Sequence, residues 1–217
     1  MNKHIRVLNL DIDNISWNEA LEQITEKGGV VLTPNVDHMV KLQKLEDYYQ
    51  IYTNADFCLC DSKILLMLSK FLPDGPIVDH IPGSSFFPAY CQHLAQTKSH
   101  KRVFLLGGTT DDSMQQAWEK INQQSGMDLV VDAYSPPFGF EKDPQQLQEI
   151  ISRINDSKAE VLAIGLGSPK QERFIGEHQS KLTHIDTIFG IGATIDFMSG
   201  YAQRSPKWMT KFGIEWL

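Results

Sequence analysis

Short β-branched runs alternate with stretches of helical periodicity along nearly the whole chain, and this alternation constrains the fold more than any other feature. Val30-Val31-Leu32-Thr33 precedes a helical stretch over 36–52, and Phe57-Cys58-Leu59-Cys60 precedes one over 64–71. Val103-Phe104-Leu105-Leu106 precedes 114–124, and Leu129-Val130-Val131 leads through a Pro/Gly loop to 147–154. Val161-Leu162-Ala163-Ile164 precedes 172–178, and Thr187-Ile188-Phe189 precedes a last amphipathic piece. Strand followed by helix, repeated without a hairpin signal, builds βα units and a mainly parallel sheet with helices on both faces. Unbroken apolar runs at 103–106 and 161–164 fit central strands, and Ser16-x-x-Glu19 is a capping box that opens a helix ending at Gly28-Gly29. The expectation is one Rossmann-like α/β domain over residues 1–200, followed by a short basic C-terminal segment over 201–217.

The 217 residues suffice for one such core, and no linker or internal repeat divides them. No apolar run approaches the roughly 18 residues of a membrane span, and the N-terminus lacks a signal-peptide block, so a cytoplasmic location is expected. Cys58, Cys60 and Cys91 cannot all pair, which fits a reducing compartment. Period-2 alternation puts Cys58 and Cys60 on one strand face, as small buried hydrophobes before metal ligands. The net charge of −7 disfavours nucleic acid. It is unevenly spread: beyond residue 200, Arg204, Lys207 and Lys211 oppose only Glu215, a net +2 that leaves −9 for the rest.

In open parallel sheets ligands bind beyond the carboxyl ends of the strands. Thr33-Pro34-Asn35 offers a hydroxyl and an amide there, with His38 one turn on, although an ordinary strand-to-helix connection has the same form. Asp61 follows the second strand and suits either a helix N-cap or a general base, and position alone favours the cap. Gly165-Leu-Gly167-Ser-Pro169-Lys170-Gln171-Glu172 allows close backbone approach and sets a cation and an amide at a helix start, a diphosphate site in outline. Gly107-Gly108 is a weaker version, and Gly190-Ile-Gly192-Ala-Thr194-Ile-Asp196 adds a carboxylate suited to sugar hydroxyls. Neither the dinucleotide fingerprint nor the P-loop is present, which disfavours a dehydrogenase, a methyltransferase or an NTPase. No metal-ligand spacing is visible, so no cofactor is expected and metal-independent chemistry is.

These motifs together resemble the WecG/TagA/CpsF glycosyltransferases, family 26, over essentially the whole chain. The marks are Thr33-Pro-Asn-Val-Asp-His38, Ala55-Asp56 with Cys60-Asp61-Ser62, Phe104-Leu-Leu-Gly-Gly108, Gly167-Ser-Pro-Lys-Gln-Glu172, Gly192-Ala-Thr-Ile-Asp-Phe197, Arg204-Ser-Pro-Lys-Trp208 and Gly213-Ile-Glu-Trp216. The resemblance implies an inverting enzyme moving an N-acetylmannosamine-type sugar, or its uronate, from a UDP-sugar to a polyprenyl-diphosphate-linked sugar. It makes Asp61 the base, with Thr33 and Asn35 beside it, and adds His38, His80, Lys170, Gln171, Thr194, Asp196 and Arg204 as substrate contacts. Phe138 and Phe140 are suited to flank the uridine, or to anchor their loop. The family has a basic residue and then Gly-Ser-Asp where this chain reads His80-Ile-Pro-Gly83-Ser84-Ser85, which bears on how the diphosphate charge is neutralised. The other reading is a non-catalytic nucleotide-sugar-binding component of a polysaccharide assembly complex. The resemblance also leads us to expect weak peripheral contact with the inner face of the plasma membrane, and leaves homo-oligomerisation open.

Overall fold

The computed structural model of the protein describes residues 3–201. A hairpin of β1 (His4–Val7) and β2 (Leu10–Asp13) comes first and forms its own antiparallel pair. Six strands then build one all-parallel sheet: β3 (Gly29–Leu32), β4 (Phe57–Cys58), β5 (Val103–Gly107), β6 (Val130–Tyr134), β7 (Val161–Gly165) and β8 (Thr187–Gly190). Their order is β4-β3-β8-β7-β5-β6, so β7 and β8 run down the middle. All six apolar runs picked out in the sequence are these six strands, although the run 57–60 keeps strand pairing only over Phe57–Cys58.

Alternation along each strand divides the core in two. Leu32, Cys58, Cys60, Phe104, Leu106, Leu162 and Ile188 face one side, while Val31, Phe57, Leu59, Leu105, Val161 and Phe189 face the other. Both cysteines expected on one face are there, buried and unpaired with each other. On the first side pack α2 (Val36–Leu42), α3 (Glu46–Thr53), α4 (Lys63–Ser69), α7 (Pro144–Ser157) and α8 (Lys170–His178). On the second pack α1 (Trp17–Lys27), α5 (Gly83–Gln96), α6 (Asp111–Ser125) and α9 (Thr194–Ser199). The capping box at Ser16 is formed, with Glu19 N donating to the Ser16 hydroxyl at 3.3 Å. None of the described helices is long and apolar enough to cross a membrane.

Two helical expectations need correction. The stretch 36–52 is two helices, because the backbone turns at 43–45 and brings α3 back against α2, although no glycine or proline marks the break. The 14-residue α5 has no counterpart in the sequence reading: Gly83-Ser84-Ser85 resembles a loop, and Pro88 inside the helix removes one backbone donor. Tertiary packing overrides this local cost. Phe86, Phe87 and Tyr90 are fully buried and surround Phe189 of β8, with ring centroids 6.4, 5.5 and 4.8 Å away. The segment 201–217 lies, beyond Tyr201, outside the described residues.

β6 is an edge strand guarded by α7. Arg153 forks the Asp132 carboxylate at 2.8 and 2.7 Å, donates to the Ala133 carbonyl at 3.0 Å and lies 4.8 Å from the Tyr134 ring centre.

Replacing Phe189 by Ala empties the ring cluster and should cost about 3–5 kcal/mol of unfolding free energy in urea denaturation. Phe71→Ala, at a residue 83% exposed, should stay within about 0.5 kcal/mol of the parent.

Candidate active site

Parallel pairing puts the C-terminal ends of all six strands along one edge, so the turns after them are neighbours. Closest of all are β5 and β7, which run in register from Val103 and Val161 to Gly107 and Gly165. Gly108 N donates to the Gly165 carbonyl at 3.2 Å. Gly107 has φ 130°, and a Cβ there would collide with that same carbonyl, so only glycine allows the approach.

Beyond this contact lies a cleft of about 350 Å³, lined by Gly108, Gly165, Gly167, Lys170, Gly192 and Asp196, with the loop 136–140 on its far wall. Gly192 has φ 52°, and a Cβ on it would meet nothing within 4 Å, so its backbone faces open space. Lys170 opens α8, whose N-terminus no side chain caps. Its ammonium lies 5.4 Å from the centre of Phe138 and 3.4 Å from Glu141. The two phenylalanines part company here. Phe140 is 2% exposed and packs on Phe174, a loop anchor, whereas Phe138 is 100% exposed at the cleft wall with the Lys170 ammonium over its ring. A larger hollow of about 540 Å³ lies between α7 and β6, but it is a shallow surface without glycine turns or a helix start.

A second group gathers after β3 and β4. Ser62, not Asp61, is the N-cap of α4, its hydroxyl accepting from Leu65 N at 3.3 Å. The cap role that position favoured for Asp61 is thereby filled by its neighbour. The Asp61 carboxylate instead accepts from Gly83 N at 3.3 Å, at the start of α5, where the helix dipole favours negative charge. Gly83 must be small, since a Cβ would sit 2.7 Å from the Thr33 hydroxyl oxygen. Thr33, Asp61 and the α5 N-terminus are thus brought together. His80 is half-buried beside Lys63, and burial first, then the Lys63 charge, lowers its pKa. Lys63 is a cation the sequence reading passed over, since nothing in a helix-opening lysine announces a neighbour 17 residues away.

Several residues expected at the substrate are engaged in hydrogen bonds within the protein. Asn35 is the N-cap of α2, accepting from His38 N at 3.2 Å while Asn35 N donates to His38 Nδ1 at 3.4 Å. His38 Nδ1 also meets Tyr52 OH at 3.1 Å. Gln171 is 3% exposed and does not reach the cleft: its Oε1 accepts from Gly192 N at 2.9 Å and its Nε2 donates to Glu172 Oε1 at 3.0 Å. The Thr194 hydroxyl is buried and donates to the Ile191 carbonyl. Asp196 borders the cleft but holds the turn after β5, accepting from Thr109 N and Thr109 Oγ1, each at 2.9 Å. Arg204 lies outside the described residues. Among the described residues no three His, Cys, Asp or Glu side chains gather as metal donors.

Burial, and after it the nearby Lys41, lowers the His38 pKa to about 4. The unfolded chain takes up that proton near pH 6.5, before the folded one does. The stability His38 contributes is therefore complete above about pH 6.5 and is lost as pH falls towards 4. Glu172, raised by burial, acts in the opposite sense and gains on acidification. His38→Gln keeps a side-chain acceptor for Asn35 N and isolates the histidine. Between pH 7.5 and 5, urea melts should show this variant gaining on the parent by on the order of 1 kcal/mol. A constant difference across that range would mean that His38 titrates normally.

The glycine-walled cleft after β5, β7 and β8, with a helix start on one side, and the Asp61 carboxylate on the α5 N-terminus after β4 lie on the same edge of the sheet. Residues 5–217 match the model of the Glycosyl transferase WecG/TagA/CpsF family, and the chain belongs to that family of glycosyltransferases.

Proposed function

We propose that the protein moves an N-acetylmannosamine-type sugar, or its uronate, from a UDP-sugar onto a polyprenyl-diphosphate-linked sugar, with inversion, in cell-surface polysaccharide or teichoic acid synthesis. The observation that carries this reading is the Asp61 carboxylate, which accepts from Gly83 N at the α5 N-terminus, itself packed against Thr33, while Ser62 does the capping. Asp61 takes the proton of the attacking acceptor hydroxyl, whose oxygen bonds to the anomeric carbon as the bond to UDP breaks. The diphosphate leaves with that electron pair into the cleft at Gly165, Gly167 and Lys170, and the exposed face of Phe138 receives the uracil ring. Gln171, Thr194 and Asp196 shape the loops around the donor. Lys63 borders the Asp61 side, where the diphosphate-linked acceptor needs a cation, and His80 beside it, its charged form disfavoured by burial and by Lys63, serves as a hydrogen-bonding group. In this reading no metal takes part, and the acceptor's lipid draws the protein into weak peripheral contact with the membrane.

The second reading, a non-catalytic nucleotide-sugar-binding component, is favoured by one observation: His80 and Ser85 stand where the family pattern has a base and an acid. Turnover separates the two. Asp61→Asn should lower transfer from UDP-ManNAc or its uronate by ~10²–10⁴-fold and leave UDP affinity within a few-fold. Ser62→Ala should do the reverse, costing about 1 kcal/mol of stability with activity kept. Parent-like turnover in Asp61→Asn would return the carboxylate to a structural role. Binding of UDP-sugar without transfer to any lipid-diphosphate acceptor would favour the second reading.

The cation question has its own assay. With the diphosphate held by backbone amides and Lys170, activity should survive EDTA. Loss restored by Mg²⁺ or Mn²⁺ would place a divalent ion at the cleft.

A further inference from the structure

Behind the site runs a chain of polar groups, buried at Tyr48, Tyr52, Gln171 and Glu172 and half-buried at its ends. Starting at the turn after β3, Asn35 N donates to His38 Nδ1, and His38 Nδ1 meets Tyr52 OH at 3.1 Å. Tyr52 OH has one proton, shared between His38 Nδ1 and Glu172 Oε1, which lies 3.5 Å away and is the longer of the two contacts, and Gln171 Nε2 donates to the same Glu172 oxygen at 3.0 Å. Gln171 Oε1 then accepts from Gly192 N in the turn after β8. Tyr48 joins from the side, 3.4 Å from Tyr52 OH and 2.8 Å from the Ser168 hydroxyl. Four separate elements, α2, α3, α8 and the Gly190–Gly192 turn, are held by this one chain.

Its centre is a poor stabiliser. Glu172 is 0% exposed, and among the described residues its Oε2 has no hydrogen-bond partner. Burial, opposed by hydrogen bonds from Gln171, its own backbone and Ser168, pushes its pKa up. A methionine of similar volume would fill the space without desolvating a carboxyl, but it would leave the buried Gln171 Nε2 and Tyr52 OH without their acceptor, at about 1–3 kcal/mol for each group left unpaired. What a directional chain supplies and an apolar one does not is fixed relative geometry.

We propose that Glu172, acting through Tyr52 and Gln171, is a positioning residue that locks the Asn35 turn and the Gly192 turn into one unit. The distance between the two halves of the site is then set by this chain and not by the flexible side chains that meet the substrates. The catalytic half of the proposal rests on the transferase reading above; the mechanical half does not.

The experiment uses Tyr52→Phe, which removes one hydroxyl and keeps the ring, with Glu172→Gln and Glu172→Met beside it. Amide hydrogen exchange on the unliganded protein reads the coupling directly. In Tyr52→Phe the Gly192 amide, reached from Tyr52 only through Glu172 and Gln171 in this chain, should exchange about five-fold faster or more, while Leu105 in the sheet keeps its protection. Transfer kcat should fall on the order of ten-fold, with donor and acceptor KM and UDP affinity within about three-fold. Glu172→Met should match that fall with a lowered melting temperature, since Gln171 Nε2 and Tyr52 OH lose their acceptor, and Glu172→Gln, which keeps an amide oxygen there, should recover much of both. The double variant Tyr52→Phe with Glu172→Met should lose no more than the worse single one.

Unchanged Gly192 exchange in Tyr52→Phe overturns the proposal. So does a uniform rise in exchange across the sheet with a matching drop in melting temperature, which marks ordinary structural damage. Faster Gly192 exchange with parent-like kcat overturns the catalytic half. If Glu172→Met does not fold, Tyr52→Phe alone decides. If the parent itself transfers no sugar, the transferase reading fails while the exchange data still decide the coupling.

Discussion

The approach of β5 to β7 is the contact on which the site depends. Parallel pairing in register carries the two strands to Gly107 and Gly165 together, and there the backbones come closer than any Cβ allows. The turns that follow these strand ends, still joined by the Gly108 N–Gly165 carbonyl bond, line the cleft. The same pairing rule along the whole sheet lines up the Thr33, Asp61 and Gly192 turns on one edge. A sheet with one antiparallel strand in its middle would send a turn to the opposite edge and leave the constellation incomplete.

Helix starts do the electrostatic work on that edge. α5 presents Gly83 N to Asp61, and α8 presents an uncapped first turn and Lys170 to the cleft. Negative charge is accommodated at both places by backbone dipoles, which need no reorganisation when charge moves. Side chains expected to bind substrate are partly spent on holding these dipoles in place. Gln171 fixes the Gly192 turn and Asp196 fixes the Thr109 turn, so each acts on a ligand through the backbone it orients.

The sheet and most helices were readable because their signals are local and agree with the tertiary structure. The six apolar runs, the capping box at Ser16 and the glycine turns each announce themselves within a few residues. α5 did not, because Pro88 and the Gly83-Ser84-Ser85 opening argue against a helix, and only the ring cluster around Phe189 outweighs them. The break at 43–45 was invisible for the opposite reason: Gln43, Lys44 and Leu45 are acceptable helix formers, and the turn is set by where α3 packs. At the site, residue types were readable but directions were not. Gln171 and Lys170 are adjacent in one motif, yet one points into the core and the other into the cleft. Capping has the same ambiguity at Asp61 and Ser62, adjacent polar residues of which the structure uses only the second as a cap.

The fork of Arg153 on Asp132 bears on how copies of this chain can meet. A parallel sheet ending in a bare strand is a template for strand addition, and β6 would be one. The guanidinium fills that margin, satisfying a carbonyl of the strand and setting a charge where another backbone would have to dock. The opposite margin, β4, is two residues long and offers too short a ladder to recruit a partner. Both borders of the sheet are thus closed to templated growth by different means, one by charge and one by brevity. Among the described residues, strand addition to the six-stranded sheet is disfavoured at both edges, and an unfolding event that frees α7 from β6 would reopen one of them to aggregation.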